Sequence, residues 1–230
     1  LVGVLSAIAI VPSAPVMVPE LAPGAAIELT QLRDAVFAAA ASLPPRWVAV
    51  GVGPADALIG DGHVGTFGGY GVDVRIALSP EAGAEPTPLP LCALVAGWIR
   101  GQVNPDARAE VHVYAADLDA ESAMAQGRQL RADIDEAPDP IGVLIVTDGA
   151  NTLTPSAPGG YDPESAAVQS ALDDALAAGD GAALAGLPQA VVGRAAYQVL
   201  AGIAEAPGSA KELYRGAPYG VGYFAGVWHP

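Results

Sequence analysis

A chain of 230 residues with 52% hydrophobic content holds enough apolar material for one sizeable core, since single cores extend to about 250 residues. With Lys+Arg 10 against Asp+Glu 25, the formal net charge is −15; such a surface repels phosphate backbones and anionic lipid, which argues against nucleic-acid and membrane-surface roles. The single cysteine excludes an internal disulfide framework and a multi-thiolate metal site, and no uninterrupted apolar run is long enough to span a bilayer, so a cytoplasmic protein is expected.

In chain order, Val2 to Val11 is an apolar run that predicts a buried first strand, and no basic residues precede it as they would in a leader peptide. The chain opens on Leu1 instead of methionine, which leaves open what lies upstream. Ile27 to Ser42 is Ala-rich and predicts a helix starting near Thr30, followed by a strand over Trp47 to Val52 and another over Val72 to Ala77. Leu89 to Gly101 reads as a helix that carries Cys92 in apolar surroundings, where a free cysteine is a small core residue. Ala109 to Tyr114 and Ile141 to Thr147 predict strands; Asp119 to Ile134, Pro163 to Ala178 and Ala190 to Ala204 have the spacing of helices with one apolar face. Two final strands, near Leu213 to Arg215 and Gly222 to Trp228, are joined by Gly216-Ala-Pro-Tyr-Gly220, which suggests antiparallel pairing. The expected fold is therefore a single α/β domain over residues 1–230, with a central mixed sheet flanked by helices on both faces.

In such folds, ligands gather beyond the carboxyl ends of the strands. The run Ile141-Gly-Val-Leu-Ile-Val146 stops abruptly at Thr147-Asp148-Gly149-Ala150-Asn151 before a long Pro- and Gly-rich loop, so Asp148 and Asn151 stand where a substrate or metal is met. For Asp148 the plainer role is to cap the adjoining turn, because Asp-Gly is a common turn pair. Val50-Gly-Val-Gly-Pro54 comes after a strand but lacks the third glycine of a dinucleotide fingerprint, and reads as a turn. Ser13, His63 and Asp148 together supply the side-chain types of a hydrolytic triad, although no Gly-x-Ser-x-Gly elbow is present.

The stretch Thr147-Asp-Gly-Ala-Asn-Thr-Leu-Thr-Pro-Ser-Ala-Pro-Gly-Gly-Tyr-Asp-Pro-Glu164 resembles one in the class III extradiol ring-cleavage dioxygenases, the family of the protocatechuate 4,5-dioxygenase catalytic subunit. Val11-Pro-Ser-Ala-Pro-Val-Met-Val-Pro-Glu-Leu21 is similar to that family's first motif, Pro-His-x-Pro with Pro-Glu after it. Gly62-His-Val-Gly-Thr-Phe-Gly-Gly-Tyr-Gly71 and Ala217-Pro-Tyr-Gly-Val-Gly-Tyr223 resemble two further segments, so the resemblance spans nearly the whole chain. By this resemblance His63 keeps a family histidine, whereas Ser13 and Asn151 stand where the family carries histidines.

The resemblance implies an extradiol dioxygenase-like fold and a cleft lined by Ser13, Glu20, His63, Asp148 and Asn151 and closed by Tyr219. Extradiol cleavage needs iron(II) with open positions for the diol and dioxygen, held by imidazole and carboxylate, and an imidazole to move the catechol protons. A serine hydroxyl is a poor iron ligand, and an asparagine amide exchanges no proton near neutrality. The chain is therefore expected to be a degenerate, cofactor-free, non-catalytic member that binds a small molecule or a protein in the inherited cleft. The alternatives are a metal-dependent ring-cleaving oxidoreductase, using Fe(2+) or another divalent metal on His63 with Asp148 or Glu20, and the hydrolase built on Ser13, His63 and Asp148. Association into a homo-oligomer is also in keeping with the family.

Overall fold

The computed structural model describes residues 5–230. Its elements are β1 (Leu5–Val11), α1 (Thr30–Ala40), β2 (Arg46–Gly53), β3 (Ala57–Ile59), β4 (Val64–Thr66), β5 (Arg75–Ala77), α2 (Leu91–Val103), β6 (Arg108–Ala115), α3 (Ala120–Glu136), β7 (Ile141–Val146), α4 (Ser165–Ala178), α5 (Gly181–Leu184), α6 (Arg194–Ile203), β8 (Ser209–Gly216) and β9 (Tyr223–His229). The start of the expected first strand, residues 2–4, lies outside the described residues.

Seven strands form one sheet in the order β3-β6-β2-β7-β1-β9-β8. The centre is parallel, with β7 between β1 and β2, and β2 beside β6. The margins are antiparallel, β3 on β6 at one edge and β9 then β8 at the other. The sheet is thus the mixed one expected from the sequence, with the final hairpin supplying the antiparallel part. No helix of the described residues is long and apolar enough to cross a membrane.

Each face of the sheet has its own core. All six residues of β7 are buried, Leu144 and Val146 facing the α1/α2 side and Ile141, Val143 and Ile145 the α3–α6 side. That two-sided burial explains why the segment is continuously apolar in place of alternating. Each fully buried Val, Leu or Ile contributes roughly 1.5–3 kcal/mol, which fixes this strand as the axis of the molecule. On the second face, α3 and α6 approach until glycine is required: a Cβ on Gly202 would lie 2.2 Å from the Met124 carbonyl oxygen, and one on Gly127 2.1 Å from that of Val199. Trp228 closes the other end of this core and donates its indole N–H to the Leu176 carbonyl at 2.8 Å.

The expected strand over Val72 to Ala77 shrinks to β5, which pairs with β4 in a separate two-stranded sheet. Its first half is a turn: Gly71 has φ +108°, and the Val74 carbonyl accepts the Phe67 N–H. The helix expected from Ala190 starts at Arg194, because Val191 bridges to Ala150 and Val192 donates to the Gly149 carbonyl.

Candidate functional site

The connections leaving β2 and β7 set the site. From β2 the chain runs outward to β6 through α2 on one face; from β7 it runs the opposite way to β8 through α4, α5 and α6 on the other. Adjacent parallel strands whose connections part in this manner leave a crevice at their carboxyl ends. Asp148, two residues past β7, stands at that crevice.

The segment around Asp148 is tightly tethered. Its carbonyl accepts the Gly193 N–H at 3.0 Å, Gly149 donates to Gly222 at 2.9 Å, and Gly222 donates back to Ala150 at 2.8 Å. The Asp148 carboxyl does not cap its own turn. Its Oδ1 accepts the backbone N–H of Ser13 at 2.8 Å, across from β1. Burial pushes the carboxyl up to about pKa 7, opposed only by that single hydrogen bond. Tyr197 and Tyr223 lie close enough to feel its charge, and burial, first, and Asp148, second, raise both phenols. A carboxyl that must be desolvated at neutral pH, with one donor to compensate, is placed at a cost to stability.

Ser13 therefore acts through its main chain, and any residue with an N–H could make this contact. Asn151 is near the same loop, partly buried, with its side chain packed against Gly159, where a Cβ would come within 2.3 Å of Oδ1. Tyr219, in the β8–β9 loop, donates its hydroxyl to Glu28 Oε2 at 2.9 Å and packs on the first core, so it straps that loop to the segment before α1. The structure thus joins Ser13 to Asp148, while the Asn151 side chain turns to Gly159 and the Tyr219 hydroxyl to Glu28.

His63 does not join them, and the expected common cleft is corrected accordingly. Strand β3 runs antiparallel to β6, so the chain after Ile59 emerges at the amino end of the sheet. The His63 carbonyl accepts the Leu78 N–H, and the Leu78 carbonyl accepts that of Ala109, at the start of β6. Since Val146 is level with Gly51 and Gly51 with Val113, Asp148 and Ala109 are about six residues apart along the strand direction, roughly 20 Å. The His63 ring is exposed and its Nδ1 lies 2.9 Å from the Gly60 carbonyl, a local loop contact. Glu20 is also elsewhere: exposed, outside α2, beside Gly97 to Gln102.

Neither the pairing of His63 with Asp148 nor the Ser13, His63, Asp148 triad is assembled. His112, inside β6, pairs with Glu110 at 2.8 Å, an interaction that lowers the Glu110 carboxyl. His229 is the last residue of β9, paired with Ser209. Among the described residues, no group of three or more His, Cys, Asp or Glu side chains is arranged to hold a metal ion. One carboxyl beside a backbone N–H does not fit the ferrous centre that the family resemblance implies.

Two residues that support this site have no counterpart among the sequence motifs: Gln169 and Asp173 of α4, each 7% exposed. Their signal was present in the sequence as polar residues on the same helical face as Leu172 and Leu176.

No protein-family model and no curated protein matches the chain. Among solved structures, it is similar to that of the uncharacterized protein JW3007 from Escherichia coli K12, with a TM-score of 0.56 and 11% sequence identity, covering 97% of this chain and 99% of that one. At that identity the likeness establishes the fold: one α/β domain with a mixed seven-stranded sheet flanked by helices.

Proposed function

We propose that this chain is a class III extradiol dioxygenase-like protein, of the catalytic-subunit type, that has lost ring-cleaving activity and acts as a binding module, taking a small organic molecule at the carboxyl-end crevice around Asp148. The observation that carries the reading is that none of the chain's three histidines lies beside the Asp148 carboxyl, whose hydrogen-bond partner is the Ser13 N–H. Without an imidazole there is no nitrogen ligand to hold iron(II) beside Asp148. The retained carboxyl supports binding over inert scaffolding, because a carboxyl raised by burial at a topological switch point is held at a cost to stability and is the kind of group that functional sites carry.

Amide chemical shifts of the labelled protein are followed while neutral phenols, amines and diols are added in turn. The reading expects saturable shifts confined to residues near Ser13, Gly149 to Asn151 and Gly220 to Tyr223. Shifts confined to the amino-end loops, or none with any class of compound, would reject small-molecule binding at this site.

A further inference from the structure

Helix α4 presents a carboxamide and a carboxyl on the face that its leucines bury. Gln169 and Asp173 lie one turn apart, alongside Leu172 and Leu176 at 1% and 0% exposure. Buried polar groups persist when each is matched, and both are. Gln169 Oε1 accepts the Ala150 N–H at 2.8 Å, and its Nε2 donates to Asp173 Oδ1 at 2.8 Å.

The fit around Gln169 is close. A Cβ on Gly149 would lie 2.1 Å from Gln169 Oε1, and one on Gly222 2.0 Å from the same atom. Glycine at both places admits the amide between the loop after β7 and the loop before β9. We infer that Gln169 is a positioning residue for the candidate site: wedged between Gly149 and Gly222 and anchored on Asp173, it fixes the backbone from Asp148 to Asn151 and hence the aim of the Asp148 carboxyl. The anchor also sets which way the amide points. An ionised carboxylate only accepts, so Nε2 turns to Asp173 and Oε1 is left for Ala150.

The groups facing Asp173 are Arg215 and Glu212 of β8, Asp174 beside it on α4, and Tyr197 of α6. Arg215 donates to Asp174 Oδ1 at 2.7 Å and also pairs with Glu212. Contact therefore runs from the surface strand β8 through α4 to the crevice.

Hydrogen exchange tests the assignment without any ligand, so its failure and that of the binding reading are separately visible. The quantity is the exchange rate of the Ala150 amide relative to that of Leu144 in β7, for the unaltered protein, Gln169→Leu, Gln169→Glu and Leu172→Ala. Loss of a buried acceptor, about 1.4 kcal/mol, corresponds to about a tenfold rise in that ratio in Gln169→Leu. Leu172→Ala destabilises the same helix without removing a hydrogen bond from the loop and does not raise the ratio. Gln169→Glu preserves the shape but sets a second carboxylate against Asp173, so its ratio rises about tenfold at pH 8 and returns towards that of the unaltered protein near pH 5, where a shared proton restores the donor. An unchanged ratio in both Gln169 variants, or the same rise in Leu172→Ala, overturns the proposal; Gln169→Glu decides the matter if Gln169→Leu does not fold.

Discussion

Replacing Asp148 with asparagine keeps the shape of the side chain and an oxygen for the Ser13 N–H, and removes the titration. In the folded protein the Asp148 carboxyl is raised to about 7 by burial, against about 3.9 in an unfolded chain. A carboxyl raised by folding stabilises the fold fully below the unfolded value, and that contribution is lost as pH rises through the folded value. Between about pH 4 and 7 the folded state retains a proton that the unfolded state has released, so stability falls by up to about 1.4 kcal/mol per pH unit from this group alone. Summed over the window, the penalty is on the order of 4 kcal/mol, and relaxation around a partly exposed residue reduces it to about 2–4 kcal/mol. Urea unfolding of both proteins at half-unit steps from about pH 4 to 8.5 isolates the effect, since every other titrating group, Asp173 included, is common to the pair. We expect the two to be similar near pH 4 and Asp148→Asn to be the more stable by about 2–4 kcal/mol at pH 8. A gap independent of pH, or one that opens towards acid, would refute the claim that Asp148 is a desolvated carboxyl held at a stability penalty.

Ser13→Ala keeps the N–H that Asp148 uses, so urea unfolding will show a change of less than about 0.5 kcal/mol. Gly202→Ala drives a methyl to 2.2 Å from the Met124 carbonyl oxygen; separating α3 from α6 costs about 1–3 kcal/mol, seen as a lower urea midpoint, and a neutral result would contradict the packing described. His63→Ala removes only an exposed ring on a loop at the amino end, so amide shifts of Gly149 to Asn151 will be unchanged; movement there would place His63 at the crevice after all.

The core of the fold was legible because its evidence is local. The continuous apolar run of β7 and its break at Thr147-Asp148 mark a buried parallel strand and its carboxyl end, and the Gly216 to Gly220 turn marks the closing hairpin. What escaped depends on direction and distance. Strands of three residues, β3, β4 and β5, carry no readable period, and the antiparallel turn of β3 is what sends His63 to the far end of the sheet. By the resemblance Ser13 stands at a histidine position, but the structure uses its backbone N–H, and main-chain contacts leave no trace in residue type. Gln169 and Asp173 could have been found, since two polar residues in line with Leu172 and Leu176 ask for buried partners.

Oxygen uptake by iron(II)-loaded protein given catechol or protocatechuate tests the central claim most directly. With no imidazole beside Asp148, the expected result is uptake no faster than free iron(II) gives, with no ring-opened product, in the unaltered protein and in His63→Ala alike. Protein-dependent, catalytic uptake with a coloured ring-opened product would contradict it, and its loss or survival in His63→Ala would tell whether a histidine holds the metal.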